Sequence, residues 1–412
     1  MKKILALILC IVMLAGIMTS CGKDNGNEQA TTTEYKTEAQ VPQVTDSPIA
    51  DSPVEDFYYE ERDNNGITII RYRGTDEHVV IPSKINNVPV TVINTGAFLN
   101  SVNLKSVVIP ESVEIIEDMV FNTCTNLTSF VVKEGNKNYS SDDGVLYNKD
   151  KSQIVLFPIC KQDMYIIPSC VKSIREYAFY GCLNLKSITI TSDIESIGSQ
   201  AFVACTSLID INVDPDNKFY SSLNGVLYNK NQTKIISVPG GKTGIFEIPS
   251  SVTEIGAYAF SACKSITNIK IPESVTSIGE WAFSKCSALK DITIPSGIKE
   301  IPQSLFNGCT SLTGVVIPES VIKIDEMVFY NCANLSDIEL PSGLLSIGSR
   351  AFFGCIGLSD IIIHENVETV GAVLFQECTH VNIYVKQESQ PIGWDSSWNH
   401  LNFPVVWGYT GS

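Results

Sequence analysis

From residue 57 onward the apolar positions come in short bursts. The stretch SVTSIGEWAFSKCSALKDITIP, Ser274 to Pro295, holds one complete cycle of them. Ile292 and Ile294 alternate with polar neighbours, the period of a short strand with one buried face. Pro295 ends that strand, because it has no N–H to give a ladder. Val275 and Ile278 make a second extended piece, and Gly279 permits a turn. Ala282, Phe283 and Cys286 then point inward from a helical or 3₁₀-like turn. The pattern returns at Phe98, Phe121, Phe179, Phe202, Phe260, Phe283, Phe306, Phe329, Phe352 and Phe375. Seven of the nine intervals are 23 residues and the other two are both 58. One such unit is too small to bury its own apolar side chains, so the units must cover one another. The expected fold is mainly β, with short helical or 3₁₀ turns: a right-handed solenoid of 23-residue rungs.

The two long intervals hold inserts, about 134–168 and 214–249, that match each other at an offset of 81 residues. NYSSDDGVLYNKDKSQIVLFP from Asn138 answers FYSSLNGVLYNKNQTKIISVP from Phe219. Each reads as a hairpin, in the first copy with strands Val145 to Tyr147 and Ile154 to Phe157 around Asn148-Lys149-Asp150. Residues 57–96 and 381–412 stand outside the beat and are expected to cap a solenoid spanning 97–380.

A period of this length with L-x-x-I-x-I is the mark of a leucine-rich repeat. The units, the GVLYN hairpins, the opening ITIIRYRGTDEHVVIPSKINNVPVTVINTGAF and the closing ESQPIGWDSSWNHLNFPVVWGY together resemble the BspA-like leucine-rich repeat family of bacterial surface proteins. The resemblance covers about residues 57 to 409. It implies an anchored or secreted surface protein, in some members an adhesin, and it brings no catalytic motif.

The cysteines pose the chemical question. Cys124, Cys182, Cys205, Cys263, Cys286, Cys309, Cys332, Cys355 and Cys378 each follow a repeat Phe by three residues. Zinc needs four ligands converging on a point, and a straight ladder without histidine at ligand spacing offers none. An inter-rung disulfide is compatible with strand spacing, but nine is odd. A small buried residue with a weak S–H donor fits every rung, so these positions are expected to be core. Cys160 and Cys170 lie in the first insert, where the second has Gly241 and Ser251. Two cysteines present together and absent together suggest a bonded pair, or else two unrelated thiols.

Other chemistry is sparse. His78, His364, His380 and His400 are scattered, and no G-x-S-x-G, phosphate loop or dinucleotide fingerprint occurs. Asp214-x-Asp216-x-Lys218 lacks the terminal Glu of a calcium loop and reads as a solvated turn. The expectation is no enzyme, no cofactor and no metal. Trp394, Trp398 and Trp407 could stack on a sugar, but a terminal rung also needs a cover.

The start of the chain changes the picture. Lys2 and Lys3 precede the apolar run Ile4 to Ile17, too short to cross a bilayer and suited to a signal peptide over 1–20. Met18-Thr19-Ser20-Cys21 resembles a bacterial lipobox, with Met18 where Leu is usual. Cys21 is the expected lipidation site, placing the protein on the extracellular face of the bacterial membrane. Residues 21–56 read as a disordered acidic tether rich in Thr, Ser and Pro. From Gly22 to Glu60 nine acids face two lysines, part of a net charge of −16 that argues against nucleic acid as a partner.

What remains is surface. The outward position between the two strand isoleucines reads Val108, Val131, Thr189, Asn212, Lys270, Thr293, Val316, Glu339 and Ile362. Such a varied face suits a protein ligand. The rival expectation is carbohydrate, held by the terminal tryptophans or the hairpins.

Overall fold

The computed structural model describes residues 50–62, 66–161 and 163–411. Residues 1–20, Cys21 and the tether up to residue 49 lie outside them. Ser52–Ser412 form one compact unit.

Each rung contributes to two walls. The I-x-I strands pair parallel and in register, as Ser187–Ile190 does with Asp210–Val213. The second wall is built of two-residue strands, Glu300–Ile301, Lys323–Ile324, Ser346–Ile347 and Thr369–Val370, again parallel. Among the described residues the one helical element is the 3₁₀ turn Val54–Asp56.

The segment around each Phe has the i→i+3 bonding of a 3₁₀ turn, with Ser284 N–H on Trp281 O and Cys286 N–H on Phe283 O. It does not continue as a helix, because the residues two before and two after every repeat Phe are left-handed. Trp281 has φ 59° and Lys285 φ 58°, and all ten rungs repeat this. The residues so held include Met119, Tyr177, Gln200, Trp281, Arg350 and Val373, for which the conformation costs roughly 1–2 kcal/mol each. The alternation turns successive peptides to opposite sides. Trp281, Phe283 and Lys285 N–H donate to Gln303, Leu305 and Asn307 O of the next rung, while Glu280, Ala282 and Ser284 O accept from the previous one. Inter-rung hydrogen bonds offset the strain.

The beat is core. Phe283 is fully buried, its ring 5.3 Å from Phe260 and 5.7 Å from Phe306. Cys286 Sγ donates to Phe260 O at 3.2 Å, and Cys309, Cys332, Cys355 and Cys378 repeat that bond to the Phe carbonyl of the rung before. The thiol is small enough for the interior and gives the Phe carbonyl, already bonded within its own turn, a second donor.

The inserts are more than appendages. Tyr139–Asp142 and Val145–Asn148 form a tight hairpin on Asp143-Gly144, with φ 45° and 74°, and Gln153–Leu156 adds a third strand. The second insert repeats this on Asn224-Gly225. The expected pair of strands is present, and the D-G and N-G turns before it are hairpin turns that add a further strand to each insert. Val145, Leu146 and Tyr147 are all buried, but on opposite faces: Leu146 joins the core of Phe98 and Phe121, while Val145 and Tyr147 join that of Phe179 and Phe202. Leu227 against Val226 and Tyr228 does the same next to the third core. Each GVLYN strand is therefore a septum, and the aromatic ladder stops at both. Buried Asn136 fastens the first insert: its Nδ2 donates to Pro110 and Val113 O, and its Oδ1 accepts from Asn138 and Tyr139 N–H. Asn217 makes the same four bonds in the second.

The suggested disulfide is absent. Cys160 is half-buried and accepts from Asn184 Nδ2, Cys170 is exposed, and both are thiols. The extended strand Met164–Ile166 runs between them.

Candidate binding surface

The first wall presents two outward columns. All nine expected positions lie on it and none is buried, whereas the flanking Ile188 and Ile190 are wholly inside. Register aligns them rung to rung: Val108 with Val131, Thr189 with Asn212, Thr293 with Val316. The wall also carries positions that the Phe-based count passed over. Ile166 sits beside Thr189, Glu247 beside Lys270, and Tyr384 between Ile362 and Val406. The same alternation marks them, in Tyr165-Ile166-Ile167, Phe246-Glu247-Ile248 and Ile383-Tyr384-Val385.

The wall's chemistry changes along its length. Towards the first insert it is aliphatic, with Met164 78%, Ile166 70% and Val131 40% exposed. Further on it is acidic and polar. Asp291 accepts from Asn268 Nδ2 and Asp360 from Asn382 Nδ2. Hydrogen bonds from Asn382 and Ser359 hold the Asp360 carboxyl below the usual carboxylate range. Lys270 pairs with Glu247 in the open, and such a pair contributes little to stability.

Two other candidates lose their chemistry. Trp394 and Trp398 are 4% exposed, pack edge-on at 5.0 Å, and donate to Val367 O and Gln390 Oε1. They close the last rung, where Trp398 meets Phe375, and offer no ring face to a sugar. An open trough of about 480 Å³ beside them is lined by Lys323, Asp325, Ser346, Thr369 and Gly371. Asp214 accepts from Asp216 N–H in a local turn. Among the described residues no group of three or more His, Cys, Asp or Glu is placed to hold a metal, and no helix is long and apolar enough to cross a membrane.

Burial pushes Cys124 and Cys286 up to about 12 and Cys378 to about 11, and raises Cys182, Cys263, Cys309, Cys332 and Cys355 as well. At neutral pH they are protonated and poor nucleophiles.

No curated protein matches the chain. Among solved structures, a leucine-rich repeat protein from Eubacterium ventriosum is similar at 25% identity and a TM-score of 0.50, covering 80% of this chain and 93% of that one. A leucine rich cell surface protein from Faecalibacterium prausnitzii has 26% identity and a TM-score of 0.46, over 89% of this chain and all of that one. The family model described as BspA type leucine rich repeat region (6 copies) matches residues 77–158, 153–245, 240–338 and 322–396. With stacked rungs, capped ends and matches running from 77 to 396, the chain belongs to the BspA-type leucine-rich repeat family.

Proposed function

We propose that this protein is a binding scaffold of the bacterial cell surface, an adhesion protein held by lipid on Cys21 and recognising a protein through its first wall. The reading rests on one observation. A regular ladder buries every repeat Phe and the Cys that follows it, and leaves the outward columns varied, with aliphatic side chains as open as Ile166 at 70% and Val316 at 61%. Isolated exposed apolar residues need no explanation, but Met164 and Ile166 on one strand, with Val131 on the same wall, fit protein contact. Burial of Trp394 and Trp398 takes two of the three terminal tryptophans from the carbohydrate reading, leaving it half-buried Trp407 and the hairpins.

Capture from neighbouring-cell or host extracts tests the binding. The double variant Ile166→Asp, Val316→Asp should lose the captured protein and keep the wild-type urea midpoint. Equal capture by both proteins contradicts the assignment of the wall. Metabolic palmitate labelling tests the anchor: wild type should label and Cys21→Ala should not.

A further inference from the structure

The two ends of the first wall are finished differently. At the N-terminal edge the strand His78–Val80 is covered by the incoming chain: Ser52 N–H donates to Val80 O at 2.9 Å, and Val80 N–H to Ser52 Oγ at 3.0 Å. At the C-terminal edge the strand Val405–Trp407 pairs on one side with Asn382–Val385, and among the described residues no strand pairs with its other side. Ile383 N–H donates to Pro404 O. By the alternation of a strand, the peptide groups of Val405 and Trp407 therefore point outward, away from the sheet. An open edge of this kind is a template for another strand.

We propose that this edge pairs with the same edge of a second copy. A two-fold axis through Val406 sets Val405 against Trp407 of the other copy, and the reverse. Each such pair exchanges two backbone hydrogen bonds, four in all, and the two Val406 residues face each other as a non-hydrogen-bonded pair with Cα atoms about 4.5 Å apart. The last rung supplies apolar contact around the strand, with Ile392 wholly exposed, Val406 47% and Leu401 45%.

Charge selects the occupant. The chain carries −16, so two copies repel over most of their surfaces, yet from residue 389 to 412 the only Asp, Glu, Lys or Arg is Asp395. Glu388, whose carboxylate a Cβ on Gly408 would meet at 2.9 Å, adds one acid beside the strand, so copies approach at this end with little of that repulsion. A strongly charged partner would gain nothing from it.

Cysteine trapping in the full chain tests the pairing. Val406→Cys should give a covalent dimer under mild oxidation, well above the background set by wild type and by Thr293→Cys on the middle of the wall. Val406→Lys replaces an exposed side chain and places two cations face to face on the axis. It should keep the wild-type urea midpoint and lose the dimer seen by sedimentation velocity. Trapping of Val406→Cys no stronger than that of Thr293→Cys, or wild type sedimenting as a monomer at every concentration, overturns the proposal.

Discussion

The third core, from Val226 to Trp398, and the two before it use the same unit to different effect. In the third, rings from Phe260 to Phe375 follow one another at 5.3 to 5.8 Å without a break. In the first two the ladder runs only two or three rings and meets a septum. Phe121 turns edge-on to Phe130, and Phe157 begins a new stack on Phe179. A cavity of about 30 Å³ marks that first break, bordered by Phe121, Leu127, Phe157, Ile159 and Tyr177. Repetition gives continuity only where each rung meets its own kind. At an insert, fastening falls to individual side chains.

The two inserts also differ from each other. Pro239-Gly240-Gly241 lies so close to the preceding rung that a Cβ on Gly240 would meet Cys205 O at 2.7 Å. The first insert has Ile159 and Cys160 there, half or more buried, and the cavity beside them. The rung after it has Arg175 where five of the ten rungs carry Gly. Arg175 reaches back across the insert to Ile116 O and Asp118 at 2.9 and 2.7 Å.

Alkali should separate the three cores most strongly. A buried thiol whose pKa is raised keeps its proton more firmly when folded, so the folded form is favoured fully below pH 9 and loses ground as pH rises towards 12. The loss is about 1.4 kcal/mol per pH unit for each such cysteine. Six cysteines so raised lie in the third core, and one in each of the other two. Hydrogen exchange at rising pH, corrected for its intrinsic rate, should show the third core losing protection soonest. Uniform loss along the chain would remove the role assigned to the ladder thiols.

Phe283→Ala should destabilise by about 3–5 kcal/mol, through lost burial and the cavity left between two rings. The damage should stay local and split the urea transition, since rungs contact only their neighbours. Phe157→Ala, next to space already open, should fall at or below the low end of that range. Equal losses would mean the first break is packed as tightly as the ladder.

Gly240→Ala should cost about 1–3 kcal/mol, because the backbone carbonyl it meets has little room to move. Arg175→Ala should cost about 1 kcal/mol, the scale of a half-exposed ion pair with one added hydrogen bond, and should shift only the part of the melt belonging to the first core. If Gly240→Ala is neutral in urea melts, the second junction is looser than described.

Much of this was legible in the sequence. Phe283, Cys286 and Ile292 recur at fixed spacing, and a 23-residue beat admits few shapes. The outward column followed from alternation alone. The left-handed turns were not legible, because Trp281, Met327 and Arg350 have no local preference for that conformation; neighbouring rungs impose it. The septum was hidden as well, since GVLY reads as an apolar strand whether one face or both are buried. The pairing suggested for Cys160 and Cys170 rested on shared presence, which says nothing of where the two side chains lie.

The central claim is that the cysteine beat is packing and that chemistry and recognition lie outside it. Alkylation footprinting of the native protein, read cysteine by cysteine by mass spectrometry, tests this most directly. Cys170 should label quickly, Cys160 more slowly, and the nine ladder cysteines only after denaturation. Ladder positions labelling as fast as Cys170 in the folded protein would contradict the account.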